Sequence, residues 1–272
     1  MKKICNYFIL KVSSYKILVV VFIAFAVQFN IFRSLIRVNL PYNFYDLHMD
    51  SFDYLTIFYF ISTSYLICIY DVCSVTNFYK YLFLKFKSRN HVFNTNVIIL
   101  LIVSISYVLF INLLCVIESV GKIDFKNSWS PYFSNKIGME PNMLFKATPV
   151  KILFNKISPL SYILYSNLFI ILYLFILGLL FLVINTVLKK RTISLIMVII
   201  IVCISRYNDL NHIIGKFTFN NNIHMLYSTQ EQLKNNTFIT SRLLYFGVLI
   251  VSLIVIGNIL TKKLDYKFQG EK

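Results

Sequence analysis

LSYILYSNLFIILYLFILGLLFLVINTVL, residues 160–188, runs for 29 residues without Asp, Glu, Lys, Arg or His. As a helix it rises about 44 Å, well past the roughly 30 Å hydrocarbon core that about 20 mostly apolar residues suffice to cross. Its far end meets Lys189, Lys190 and Arg191, three adjacent cations that resist translocation. Five further stretches lack the same five residue types: 17–32, 54–70, 97–117, 192–205 and 243–260. The chain therefore reads as an all-α, multi-pass membrane protein. One transmembrane domain covers 1–272, with six spans at about 15–36, 53–72, 97–117, 160–188, 192–207 and 243–261.

Two of these spans are short. The first is lengthened by Lys16 before it and by Arg33, whose long stem carries its charge to the interface. The fifth has 14 uncharged residues, about 21 Å of helix, and relies on Arg206 and Tyr207 at the interface or on a locally thinned membrane. Ile4, Phe8, Val12 and Tyr15 recur at helical spacing among Lys2, Lys3, Asn6 and Ser13. That pattern predicts an N-terminal helix lying in the interface and feeding the first span.

With 58% hydrophobic and 14% charged residues and a mean hydropathy of +0.70, the chain departs from the globular norm of roughly 25% charged. Basic residues set the orientation. If both termini are cytoplasmic, the inner segments hold 15 Lys and Arg in 57 residues and the outer ones 12 in 100, as the positive-inside bias requires. The pI of 9.6 and net charge of +16 suit an anionic lipid surface and need no nucleic acid. Skewed usage of Ile, Lys, Asn, Phe and Tyr, with only Ala24, Ala26 and Ala147 as alanines, suggests an AT-rich bacterial genome. The expected location is the bacterial cytoplasmic membrane.

Several chemistries are missing from the pattern. Cys5, Cys68, Cys73, Cys115 and Cys203 form no C-x-x-C pair, and His48, His91, His212 and His224 are dispersed, so no zinc spacing occurs. There is no G-x-x-x-x-G-K-[ST] and no G-x-S-x-G, and no carboxylate lies within any of the six uncharged stretches. No catalytic or metal-binding residue is expected, and the chain is read as no enzyme. A membrane acyltransferase would need His91 or Glu118, the best ionisable groups near an interface. The polar residues within spans are amides: Gln28, Asn30, Asn112, Asn167, Asn185 and Asn258. They line a pathway or join helices by hydrogen bonds. All five prolines fall between spans, so the spans are expected to be continuous.

The outer connections at 118–159 and 206–242 carry apolar residues among polar ones and are expected to pack on the membrane surface. The inner connection between spans two and three differs. Over 74–91, Phe78, Tyr79, Leu82, Phe83 and Phe86 occupy one helical arc, Lys80 and Lys87 project opposite, and Lys85 and Arg89 flank it. This is the pattern of a helix bound to anionic lipid, and equally of one that docks a soluble partner.

Within it, LKFKSRNHVF (84–93) resembles the basic, Ser-Arg-containing stretch at this place in ABC-2 type permeases of low-GC Gram-positive bacteria. ISPLSYIL (157–164), INTVLKKRTISLI (184–196) and KKLDYKF (262–268) are similar to the same family in order and topology. The resemblance implies a permease subunit with no cofactor of its own, ATP and Mg being bound by a separate ABC ATPase subunit. Phe78, Leu82, Phe83, Lys85, Phe86, Lys87 and Arg89 would couple to that ATPase. It further implies pairing with a second permease copy or a paralogue, and outward movement of a peptide or other amphipathic substrate. The large outer connection between spans three and four departs from many members. SWSPYFSN (128–135) is similar to a W-x-P-x-x-D signature of bacteriocin-associated membrane proteins, with Ser134 in place of the Asp; Trp129 and Tyr132 also suit a loop anchored at the interface. The alternative is a non-transporting immunity or accessory protein that binds an antimicrobial peptide or another membrane protein.

Overall fold

A computed structural model describes residues 15–38, 40–72, 89–120, 123–133, 147–205, 215 and 217–262. Among them there is no strand, only an isolated bridge between Asn43 and Asp124. Four helices are long and apolar enough to cross a bilayer: α1 (Tyr15–Ile36), α4 (Arg89–Ser119), α6 (Pro159–Leu188) and α10 (Phe238–Lys262). The chain is thus an all-α, membrane-embedded protein.

The second expected span holds α3 (Thr56–Ile69), and at its edge a 55° bend joins α3 to a helix that was not expected, α2 (Phe44–Ser51). Proline is not the cause. Phe52 closes α2 by donating to His48 O, and Ile57 N restarts the ladder on Asp53 O. The first six residues of α3, Thr56–Ile61, are wound as a π-helix. Hydroxyls stabilise that wider winding: Ser62 Oγ bonds Ile57 O at 2.7 Å, and Thr63 and Ser64 bond back to Tyr59 O and Phe60 O. The connection between the first and second expected spans is therefore partly helical.

Other boundaries shift too. Span three begins as helix at Arg89, eight residues before its expected start at 97. Residues 97–117 alone would suffice to cross, and the added turns lie beyond them. The fifth expected span is α7 (Arg191–Ile204), only 14 residues. The connections expected outside, 118–159 and 206–242, contain α5 (Ala147–Lys156), α8 (Phe219–Ile223), a 3-10 turn at Met225–Tyr227 and α9 (Gln230–Lys234). The N-terminal interfacial helix and most of the 74–91 segment lie outside the described residues.

The core is organised around α6. It starts where Ser158 Oγ accepts from Ser161 N with Pro159 in the first turn, and stops where Lys189 adopts a left-handed φ of 54°. Between those ends it is buried on most of its circumference, packing against α2, α3, α4, α7, α8 and α10. By contrast, α1 buries one stripe, Val20, Ala24, Gln28, Phe32 and Leu35, and turns Leu18 and Phe22 outward. A polar outer face is absent there because the solvent for that face is lipid. At Gly257 on α10 a Cβ would collide with the Phe93 ring on α4, so the helices approach through a missing side chain.

One end of the bundle is closed by charge. Asp71, just past α3, binds Lys16 of α1 at 2.7 Å and Arg191 of α7 at 3.5 Å. Both cations lie over the Tyr70 ring, which stacks on Phe181 of α6. This end also carries the start of α4 and therefore both edges of the 73–88 connection.

Candidate functional site

At the other end, the three amides Gln28, Asn112 and Asn167 come together around α2. That helix is held by a capping box: Asn43 Oδ1 accepts from Tyr45 N and Asp46 N, and Asp46 Oδ2 accepts from Asn43 N. Residues 123–133 fasten the same turn. Ser130 Oγ donates to Asp46 Oδ1 at 2.8 Å, Tyr132 Oη to Asp50 Oδ2 at 2.8 Å, and Asn43 Nδ2 to Ser128 O at 2.7 Å. Burial, and then the Asp50 carboxylate, push the Tyr132 phenol upward, so it remains a hydrogen-bond donor. Trp129 packs on Phe133, Phe154 and Tyr162, an anchoring role within an aromatic cluster.

So fixed, α2 presents His48 and Ser51 to the spans. Asn112 of α4 and Asn167 of α6 exchange reciprocal amide bonds of 3.1 and 3.3 Å. His48 Nε2 lies 3.2 Å from Asn167 Oδ1. Because an amide oxygen can only accept, Nε2 carries the proton, and Nδ1 is buried without a partner among the described residues. Asn112 Nδ2 spends its second hydrogen on Val108 O. Beside this trio, Gln28 Nε2 donates to Ser51 Oγ at 2.6 Å and to Cys115 Sγ at 3.1 Å, while Ser51 Oγ donates to Leu47 O. Two small networks thus join α1, α2, α4 and α6 within an apolar bundle.

The remaining amides do not join them. Asn30 is exposed and bonds Ala26 O on its own helix. Asn185 is buried near the far end of α6, and Asn258 lies in α10. Phe78, Leu82, Phe83, Lys85, Phe86 and Lys87 lie outside the described residues, and Arg89 opens α4. His91 and Glu118 stand near opposite ends of α4, so they do not assemble into one site. Among the described residues no group of three His, Cys, Asp or Glu side chains is placed to hold a metal.

The chain is 26% identical over 234 residues to an uncharacterized protein of Halalkalibacterium halodurans, covering 85% of this chain and 82% of that one. No family model and no solved structure matches it. The likeness covers most of the chain and carries no activity with it.

A second polar group was missed from the sequence because Arg242 looks like one more loop cation. It lies within α10, 2% exposed, and donates to Phe238 O at 2.7 Å, to His224 O at 3.1 Å and to Asn221 O at 3.3 Å. Its guanidinium stands 6.0 Å from the Phe169 ring. His224 is pulled down to about 4 by burial first and by the positive Arg242 second, so it is neutral. An Arg one turn inside a helix whose end is extended by packing was the available signal; hydropathy windows place it outside the span.

Proposed function

We propose that this chain is the membrane-spanning permease subunit of an ABC exporter, energised by a separate ATPase subunit and moving a peptide or other amphipathic substrate outward. The observation that carries the reading is mechanical. The 73–88 connection leaves from the end of α3 and returns at the start of α4. The same two arms hold the buried polar networks: α2, bent onto α3, supplies His48 and Ser51, and α4 supplies Asn112 and Cys115. Displacing the connection would therefore shift both walls of the polar site together. The Asp71 ion pairs, weak and partly exposed, tie that arm to α1 and α7 and can be remade in another arrangement.

On this reading the Asp71 end is cytoplasmic, as are both termini, and the chain pairs with a second permease copy or a paralogue. Purification of the tagged chain in mild detergent is expected to bring an ATP-binding protein with it. Phe83→Asp with Phe86→Asp is expected to release that protein without preventing insertion. Retention by the double variant would sink the coupling role of 74–91.

One observation favours the second reading, a non-transporting immunity or accessory protein. The Asn112–Asn167 pair satisfies itself, as helix-joining amides do. A folded, monodisperse preparation free of any ATPase would decide for it.

A further inference from the structure

Arg242 carries a charge that nothing described beside it neutralises. A guanidinium has five N–H donors; three go to backbone carbonyls and Nε–H has no partner among the described residues. Carbonyl dipoles meet the need for hydrogen bonds but supply no net charge, and an uncompensated buried cation is costly. Lys16 and Arg191, far more exposed, both share Asp71. Those two partly exposed cations have a carboxylate, and the buried Arg242 has none among the described residues.

The surroundings are also incomplete. On α8, Asn220 is 0% exposed and neither of its amide atoms has a partner; Asn221 Oδ1 and His224 Nε2 are likewise buried and unpartnered among the described residues. His224 and the Tyr162 phenol both lie within electrostatic reach of Arg242. Arg242 Nε–H and the Asn220 Nδ2 amide are thus two buried donors without partners among the described residues, at a fixed positive charge. Arg242 stands on the second turn of α10, at the end of the bundle away from Asp71. That is the depth at which arginines near helix ends meet the interface.

We propose that Arg242, with Asn220 and His224, forms a binding site for a phosphate-type anion, supplied by a lipid headgroup or by free phosphate. The guanidinium Nε–H edge and the Asn220 amide donate to the phosphate oxygens, and the three carbonyls hold the guanidinium in place. The site is independent of any ATPase, so it stands or falls separately from the permease reading.

The test uses the full chain, purified and delipidated in a neutral detergent, with native mass spectrometry and thermal unfolding as readouts. In one arm phosphatidylglycerol is titrated; in the other, inorganic phosphate. Wild type is expected to bind one equivalent saturably and to unfold at a higher temperature when loaded. Arg242→Gln is expected to bind at least about tenfold more weakly, the worth of one charge-assisted hydrogen bond or more. Asn220→Leu, which keeps the carbonyl clamp, is expected to show a smaller loss in the same direction and serves if Arg242→Gln does not fold. Displacement of the lipid by inorganic phosphate identifies free phosphate as the ligand, and lack of displacement identifies the headgroup. Binding that is unsaturable, or equal in wild type and both variants, overturns the proposal. So does the absence of binding by wild type in both arms.

Discussion

The two buried polar regions of this bundle solve the same problem differently. Around His48, amides from α4 and α6 face one another and each donor meets an acceptor, leaving only His48 Nδ1 bare. Around Arg242, the acceptors come from the backbone, the charge is uncompensated, and five side-chain atoms, from Asn220, Asn221, His224 and Arg242 itself, lack partners among the described residues. Neutral amides can close a network between helices because each brings both a donor and an acceptor. A guanidinium brings only donors and a charge, so a network built on it stays open until an anion enters. The difference marks the first region as a joint between helices and the second as a place that is complete only with something bound.

The sharpest way to break this contrast is Arg242→Ala. It strips three carbonyls of their donor and opens a cavity beneath Phe169, an expected loss of about 3–5 kcal/mol in denaturant unfolding. A loss under about 1 kcal/mol would mean that the guanidinium holds nothing together. Next in size is Asn167→Leu, which orphans Asn112 Oδ1 and the His48 N–H together, at about 1–3 kcal/mol. Adding Asn112→Leu is expected to cost less than the sum of the two single changes, because the partner left bare is removed as well. Strict additivity in that double-mutant cycle would show that the amide pair is not a unit.

Smaller again is Gly257→Ala. It forces the buried Phe93 ring aside at the seam where α4, bearing Asn112, meets α10, bearing Arg242. Overpacking of this kind costs about 1–3 kcal/mol; pairing it with Phe93→Leu is expected to restore most of the loss. An unchanged stability would place the seam farther apart than the structure has it.

How much of this was legible in the sequence depends on what each feature needs. Uncharged runs suffice for α1, α4, α6 and α10, because hydrocarbon leaves a helix no other way to bond its backbone. Of the six amides, Gln28, Asn112 and Asn167 meet, and Asn30 does not, a distinction that requires helix faces and neighbours. The bend at 52–55 was hidden: no proline marks it, and the Ser and Thr hydroxyls that stabilise the π-helical winding look ordinary in an apolar stretch. With α2 unseen, His48 was one more dispersed histidine. Arg242 was misplaced for the related reason that α10 begins at Phe238, five residues before the uncharged run, where α8 packs against it.

The smallest expected effect is also the most specific. His224 is held at about 4 in the folded chain against an ordinary value near 6.5, by burial first and Arg242 second. The folded state thus favours the neutral imidazole. Its contribution to stability is complete above about pH 6.5 and is lost as pH falls toward about 4, where the unfolded chain gains a proton that the folded one refuses. His224→Gln removes that proton uptake, so the stability of the variant is expected to fall less than that of wild type between pH 7 and 5, with all other titrating groups cancelling in the difference. Bound phosphate would sharpen the result, because an anion beside Arg242 weakens the repulsion felt by imidazolium and draws the two profiles together. Parallel profiles without phosphate would mean that His224 is solvated and not packed beside Arg242, and the open network of that region would lose one of its walls.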